Sequence, residues 1–97
     1  MTAIADPRQA AADALNRLIV RLQAQPGTGP IVEECQALAR AVGAFHLEGI
    51  RFRMYNVDRL LSKSGADVPA EAPAILEEVR RHLETAGFHT RSHQAPG

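Results

Sequence analysis

The residues that could do chemistry are few, and their spacing limits what each could do. The four histidines are His46, His82, His89 and His93. A metal site wants three or four converging ligands at helical or loop spacing. His89 and His93 come close in sequence, but they fall in a polar tail. Neither H-E-x-x-H nor a cysteine pair is present, so the histidines read as solvated side chains and no metal or other cofactor is expected. The single cysteine, Cys35, lies on an apolar helical stripe with no histidine beside it to activate a thiolate, and reads as a small buried hydrophobe. Glu33-Glu34 and Glu77-Glu78 are adjacent carboxylates. On a helix, adjacent side chains point in different directions, so they read as solvated faces rather than acid–base pairs. No catalytic residue stands out, and the chain reads as a non-enzyme.

One segment interleaves cations with aromatics: Arg51-Phe52-Arg53-Met54-Tyr55. Nucleic-acid surfaces use that mixture for phosphate contact and base stacking. Protein interfaces use it for cation–π packing. Arg80, Arg81 and Lys63 could extend a basic surface. Eleven basic residues nevertheless balance eleven acidic ones, and a general nucleic-acid binder usually carries a basic excess. The leading reading is therefore a protein interface made by Phe45, Phe52, Tyr55 and Arg59. The alternative is a small nucleic-acid-binding regulator using Arg51, Arg53, Arg59 and Lys63. A second alternative is a helical groove in which arginines hold an anionic small ligand.

The elements that must position these residues are helices. Leu47, Ile50, Met54, Val57 and Leu61 recur at spacings of three and four, as do Ile31, Cys35, Leu38 and Val42. Neither proline nor an Asn/Asp/Gly cluster interrupts residues 31–64. A lone glycine costs a helix about 1 kcal/mol without ending it, so Gly43 and Gly49 are read as passengers in one long central helix. Phe45, Phe52 and Tyr55 then lie roughly opposite the Leu47–Leu61 stripe.

Asp6-Pro7 opens an earlier helix, with Gln9 able to reach back as in a capping box. Its stripe is Ala11, Leu15, Leu18 and Leu22, widened by Ala14 and Ile19, and it should stop before the connector Pro26-Gly27-Thr28-Gly29-Pro30. A last helix carries Ala72, Leu76, Val79, Leu83 and Ala86, with Ile75 beside them. Gly87 and Phe88 fit a left-handed ending whose hydrophobic contact is Leu83.

The expected fold is all-α, with three antiparallel helices over 7–25, 31–64 and 71–86, the middle one long. The alternative breaks the middle helix near Gly43 and makes a four-helix bundle. Residues 1–6 are expected to fray, 7–88 to form a single domain, and 89–97 to be a disordered tail. A single cysteine fits a reducing cytoplasm. No apolar run approaches the ~18 residues of a membrane span, and no signal pattern or internal repeat is evident. A three-helix monomer of this kind would be thin and would leave the aromatic side uncovered. The chain is therefore expected to be a homodimer that docks another protein, an adaptor or accessory subunit.

Overall fold

A computed structural model describes residues 6–64 and 68–88. The described residues form four helices and no strand: α1 (Pro7–Gln23), α2 (Gly29–Gly43), α3 (Leu47–Ser64) and α4 (Ala72–Thr85). Of the fraying expected over residues 1–6, residues 1–5 lie outside the described residues, as does the tail expected over 89–97.

The helix starts and stops follow local chemistry. The Asp6 carboxylate accepts the Arg8 N–H at 3.0 Å, and Pro7 occupies the first turn. Gln9 does not complete a capping box. Its amide donates instead to Asp13 one turn on. Between α1 and α2, Gly27 takes φ 83, the left-handed conformation that glycine adopts without steric cost. Thr28 precedes α2 but does not cap it with its side chain. Its buried hydroxyl turns back to the end of α1, within donating distance of the Gln25 carbonyl (3.0 Å) and of the Leu22 carbonyl. Carbonyls left without partners by the end of one helix are thus satisfied by the residue that begins the next. At the end of α4 the Phe88 N–H donates to Leu83 O at 2.8 Å and Gly87 N–H to Glu84 O, with Gly87 at φ 99. This is the Schellman ending expected from Gly87-Phe88.

The long central helix is not formed; the chain breaks at Ala44–His46, and the four-helix alternative fits. Phe45 is left-handed at φ 57. Its N–H donates to Val42 O, and the His46 N–H donates to Ala41 O, so α2 closes by the same Schellman pattern with a phenylalanine where glycine is usual. His46 then starts α3. Its carbonyl accepts the first helical N–H, from Ile50, and its Nδ1 accepts the Gly49 N–H at 3.0 Å. The polar residue that caps α3 is therefore a histidine, which is not among the residues that ordinarily signal a helix start. Gly49 makes room for it, because a Cβ there would stand 2.6 Å from His46 Nδ1.

Every helix contributes one apolar face to a common core. Ala11, Ala14, Leu15, Leu18, Ile19 and Leu22 are buried on α1, and Ile31, Cys35, Leu38 and Val42 on α2. Ile50, Met54, Val57 and Leu61 are buried on α3, and Ala72, Ile75, Leu76, Val79 and Leu83 on α4. The expected stripes are therefore the buried ones, save at two ends. Leu47 is 38% exposed at the start of α3, and Ala86 lies past the end of α4.

Short connectors would lay the first helix along the first half of a long central helix and the last helix along its second half; α1 does touch α2, but the last helix departs from that expectation. α4 packs mainly on α1, α3 mainly on α2, and the direct contact between α3 and α4 is slight. Antiparallel ion pairs mark the two main seams: Arg17–Glu78 and Arg21–Glu71 across α1 and α4, and Arg53–Glu34 across α3 and α2. The break after Gly43 explains this. It frees α3 to fold back along α2, which leaves α1 free to receive α4. The molecule measures 40 × 40 × 21 Å, so its thin dimension is about two helix diameters.

Candidate functional site

Because α3 has α2 on one side and only a slight contact with α4, part of its surface faces outward. At about 100° per residue, Glu48, Phe52, Tyr55 and Arg59 fall within an arc of roughly 60°, opposite the buried Ile50–Leu61 stripe. Phe52 is 56% exposed and Tyr55 50% exposed. Glu48 and Arg59 are exposed on either side of them along the helix. Glu48, Arg51, Phe52 and Tyr55 line a shallow depression of about 350 Å³. A second depression, of about 430 Å³, lies where α3 meets α2 and includes Arg40, His46, Phe52 and Arg53 in its wall.

The structure brings some of the expected interface residues together and separates one. Phe52, Tyr55 and Arg59 share the outward face. Phe45 does not belong to it, because the break places Phe45 in the turn before α3. Its ring sits 6.4 Å from that of Phe88, and the Arg8 guanidinium stacks over it at 3.7 Å. Phe45 therefore joins the start of α1, the α2–α3 turn and the end of α4, although its ring remains exposed.

The cations expected to meet phosphate or another anion have protein partners or scattered positions. Arg53 donates to both oxygens of Glu34, at 3.1 and 3.2 Å, and its guanidinium lies 5.1 Å from the Phe52 ring centre. Arg51 pairs with Glu48 at 3.5 Å. Lys63 is exposed in the last turn of α3. Arg80 does not extend a basic surface. It is 8% exposed, held by Glu77 at 2.6 Å and Asp58 at 3.5 Å, and its Nε has no hydrogen-bond partner. Arg81 is exposed. Both adjacent carboxylate pairs are likewise engaged: Glu34 holds Arg53 and Asn56, and Glu78 holds Arg17 and stands 3.7 Å from His82. The hydrogen bond from Arg17 keeps the Glu78 carboxyl below its ordinary range.

Cys35 is fully buried, and burial, helped by the nearby Glu34 charge, raises its thiol from 9.0 to about 12. It is a neutral thiol at neutral pH, without the depressed pKa that a nucleophile needs. Among the described residues no three His, Cys, Asp or Glu side chains are placed to hold a metal ion. No described helix is long and apolar enough to cross a membrane.

Two residues with positional roles escaped the sequence reading. His46 is a helix cap, and the only signal for it was a polar side chain three residues ahead of a glycine. Glu48 joins the aromatic face at the same helical spacing as Phe52, Tyr55 and Arg59, and that spacing was the signal for it. In comparisons with protein-family models, curated proteins and solved structures, nothing matches this chain.

Proposed function

We propose that this protein is a non-enzymatic helical interaction module, a homodimer that serves as an adaptor or accessory subunit for another protein. The observation that carries this reading is the pair of half-exposed aromatics, Phe52 and Tyr55, on a face of α3 that no other described helix covers. Aromatics flanked by arginine are the composition of interface centres. Contiguous apolar patches are uncommon on soluble monomers unless they bind something. Closed two-fold symmetry is the commonest way for a chain to cover such a face with its own copy. The nucleic-acid reading draws less support, because Arg51 and Arg53 already face Glu48 and Glu34.

Replacing Phe52 with Asp would place an unpaired charge at the centre of the contact, at a cost of several kcal/mol. Sedimentation of the wild-type protein at concentrations on the order of tens of micromolar should show a dimer, and Phe52→Asp should sediment as a monomer. A wild-type monomer, or a Phe52→Asp protein that stays dimeric, overturns the proposal. Duplex or single-strand binding that falls steeply with salt and is lost in Arg51→Glu/Arg53→Glu would favour the nucleic-acid alternative instead.

A further inference from the structure

The outward stripe of α3 reads, in order, acid, aromatic, aromatic, base: Glu48, Phe52, Tyr55, Arg59. The steps between them are four, three and four residues, the spacing that keeps one seam facing a partner helix. Both charged ends are open to solvent: Glu48 is 78% exposed, and Arg59 is also exposed. This order has a consequence for pairing with a second copy. In a parallel pair, Glu48 would meet Glu48 and Arg59 would meet Arg59, two like-charge contacts. In an antiparallel pair centred between Phe52 and Tyr55, each Glu48 meets the other copy's Arg59, and each Phe52 meets the other copy's Tyr55. The depression lined by Glu48, Arg51, Phe52 and Tyr55 would then receive an aromatic ring from the other copy.

We infer that the occupant of this face is a second copy of the chain, with its α3 antiparallel to the first and the two-fold axis passing between Phe52 and Tyr55. The inference rests on the proposed homodimer and adds its orientation and register. Charge complementarity is what selects the orientation, since only the antiparallel pairing turns both ends of the stripe from repulsive to attractive. The contact is a single helix pair, smaller than the roughly 800 Å² per partner of a standard stable interface, so the dimer should be reversible.

Cross-linking reads the register directly. Glu48→Cys and Arg59→Cys are prepared separately and treated, alone and mixed, with a bifunctional maleimide spanning about 8 Å, the reach of two packed helices. Native Cys35 is buried and does not compete. In the antiparallel register two copies of position 48 lie about 16 Å apart along the axis, beyond that reach, whereas 48 and 59 of different copies are side by side. The mixture should therefore give roughly tenfold more linked dimer than either variant alone. Linking of Glu48→Cys alone as efficiently as the mixture overturns the antiparallel register while the dimer stands. A wild-type dimer in which neither the single variants nor the mixture link also overturns the register and moves the contact to another face. A wild-type protein that sediments as a monomer overturns the homodimer and this inference with it.

Discussion

At Phe45 the backbone adopts φ 57, which a bulky side chain reaches only at a cost of about 1–2 kcal/mol. The Arg8 guanidinium and the Phe88 ring hold the phenyl group in place and offset part of that cost. Comparing Phe45→Gly with Phe45→Ala isolates the backbone, because both lose the ring. Glycine should be the more stable by about 1 kcal/mol in chemical denaturation. If residues 43–47 were helical instead, alanine would be the more stable by a similar amount. A second residue makes a pH prediction. The Cys35 thiol is raised to about 12 in the folded chain from 9.0. Below pH 9 both folded and unfolded chains hold the proton, and the full stability is present. Between pH 9 and about 12 the unfolded chain releases it first, so stability falls as pH rises, by at most about 1.4 kcal/mol per pH unit. Cys35→Ala lacks this term. The stability gap between wild type and Cys35→Ala should therefore narrow above pH 9, and a gap constant from pH 8 to 11 would refute the assignment. The burial of Cys35 was legible from its place in the Ile31–Val42 stripe. The turn at Phe45 was not, because its left-handed residue is a phenylalanine and its cap a histidine, neither of which signals a break.

The apolar stripes were legible because each depends only on helical periodicity within one element, and the Asp6-Pro7 start and Gly87-Phe88 end because each depends on a few adjacent residues. Which stripe meets which was not legible, since periodicity marks the face that must be covered and not the element that covers it. Expectation joined α3 to α4, whereas the short turn at Ala44–His46 gives α3 to α2 and α4 to α1. The two helical glycines around that turn should behave oppositely. A methyl at Gly43 meets nothing within 4 Å, so Gly43→Ala should gain a few tenths to about 1 kcal/mol from helix propensity. A methyl at Gly49 meets His46 Nδ1 at 2.6 Å and Ala41 Cβ at 3.3 Å. Gly49→Ala should therefore lose the His46 cap and be no more stable than wild type, despite the same propensity gain. His46→Ala removes the acceptor for the Gly49 N–H and should cost about 1 kcal/mol. Thermal denaturation of the three variants checks the pattern, and an equal gain at Gly43 and Gly49 would count against His46 as the cap of α3.

For the whole molecule, the break in the central region changes what dimerisation does. A thin three-helix chain would need its partner in order to hold together, and a variant unable to dimerise would lose much of its helicity. The four-helix arrangement instead buries an apolar face of every helix within one chain, and its radius of gyration, 13.2 Å, is that of a folded domain of about 100 residues. The outward face of α3 adds nothing to that core, because Phe52 and Tyr55 point away from the Ile50–Leu61 stripe. Association and folding should thus separate. Phe52→Asp should abolish the dimer yet keep its helical circular dichroism and nearly the wild-type melting temperature measured at high dilution. Leu18→Ala, at a fully buried site on the α1 face, should do the reverse. It should leave the α3 surface intact but lose about 2–5 kcal/mol to the cavity, a large part of the 5–15 kcal/mol typical of a domain. Melting of each variant across a hundredfold range of concentration distinguishes the two. Wild type should melt higher as concentration rises, through linkage to the dimer, and Phe52→Asp should not. If Phe52→Asp instead unfolds when diluted, α3 needs its partner for the fold itself, and the four helices of one chain are insufficient to hold its core.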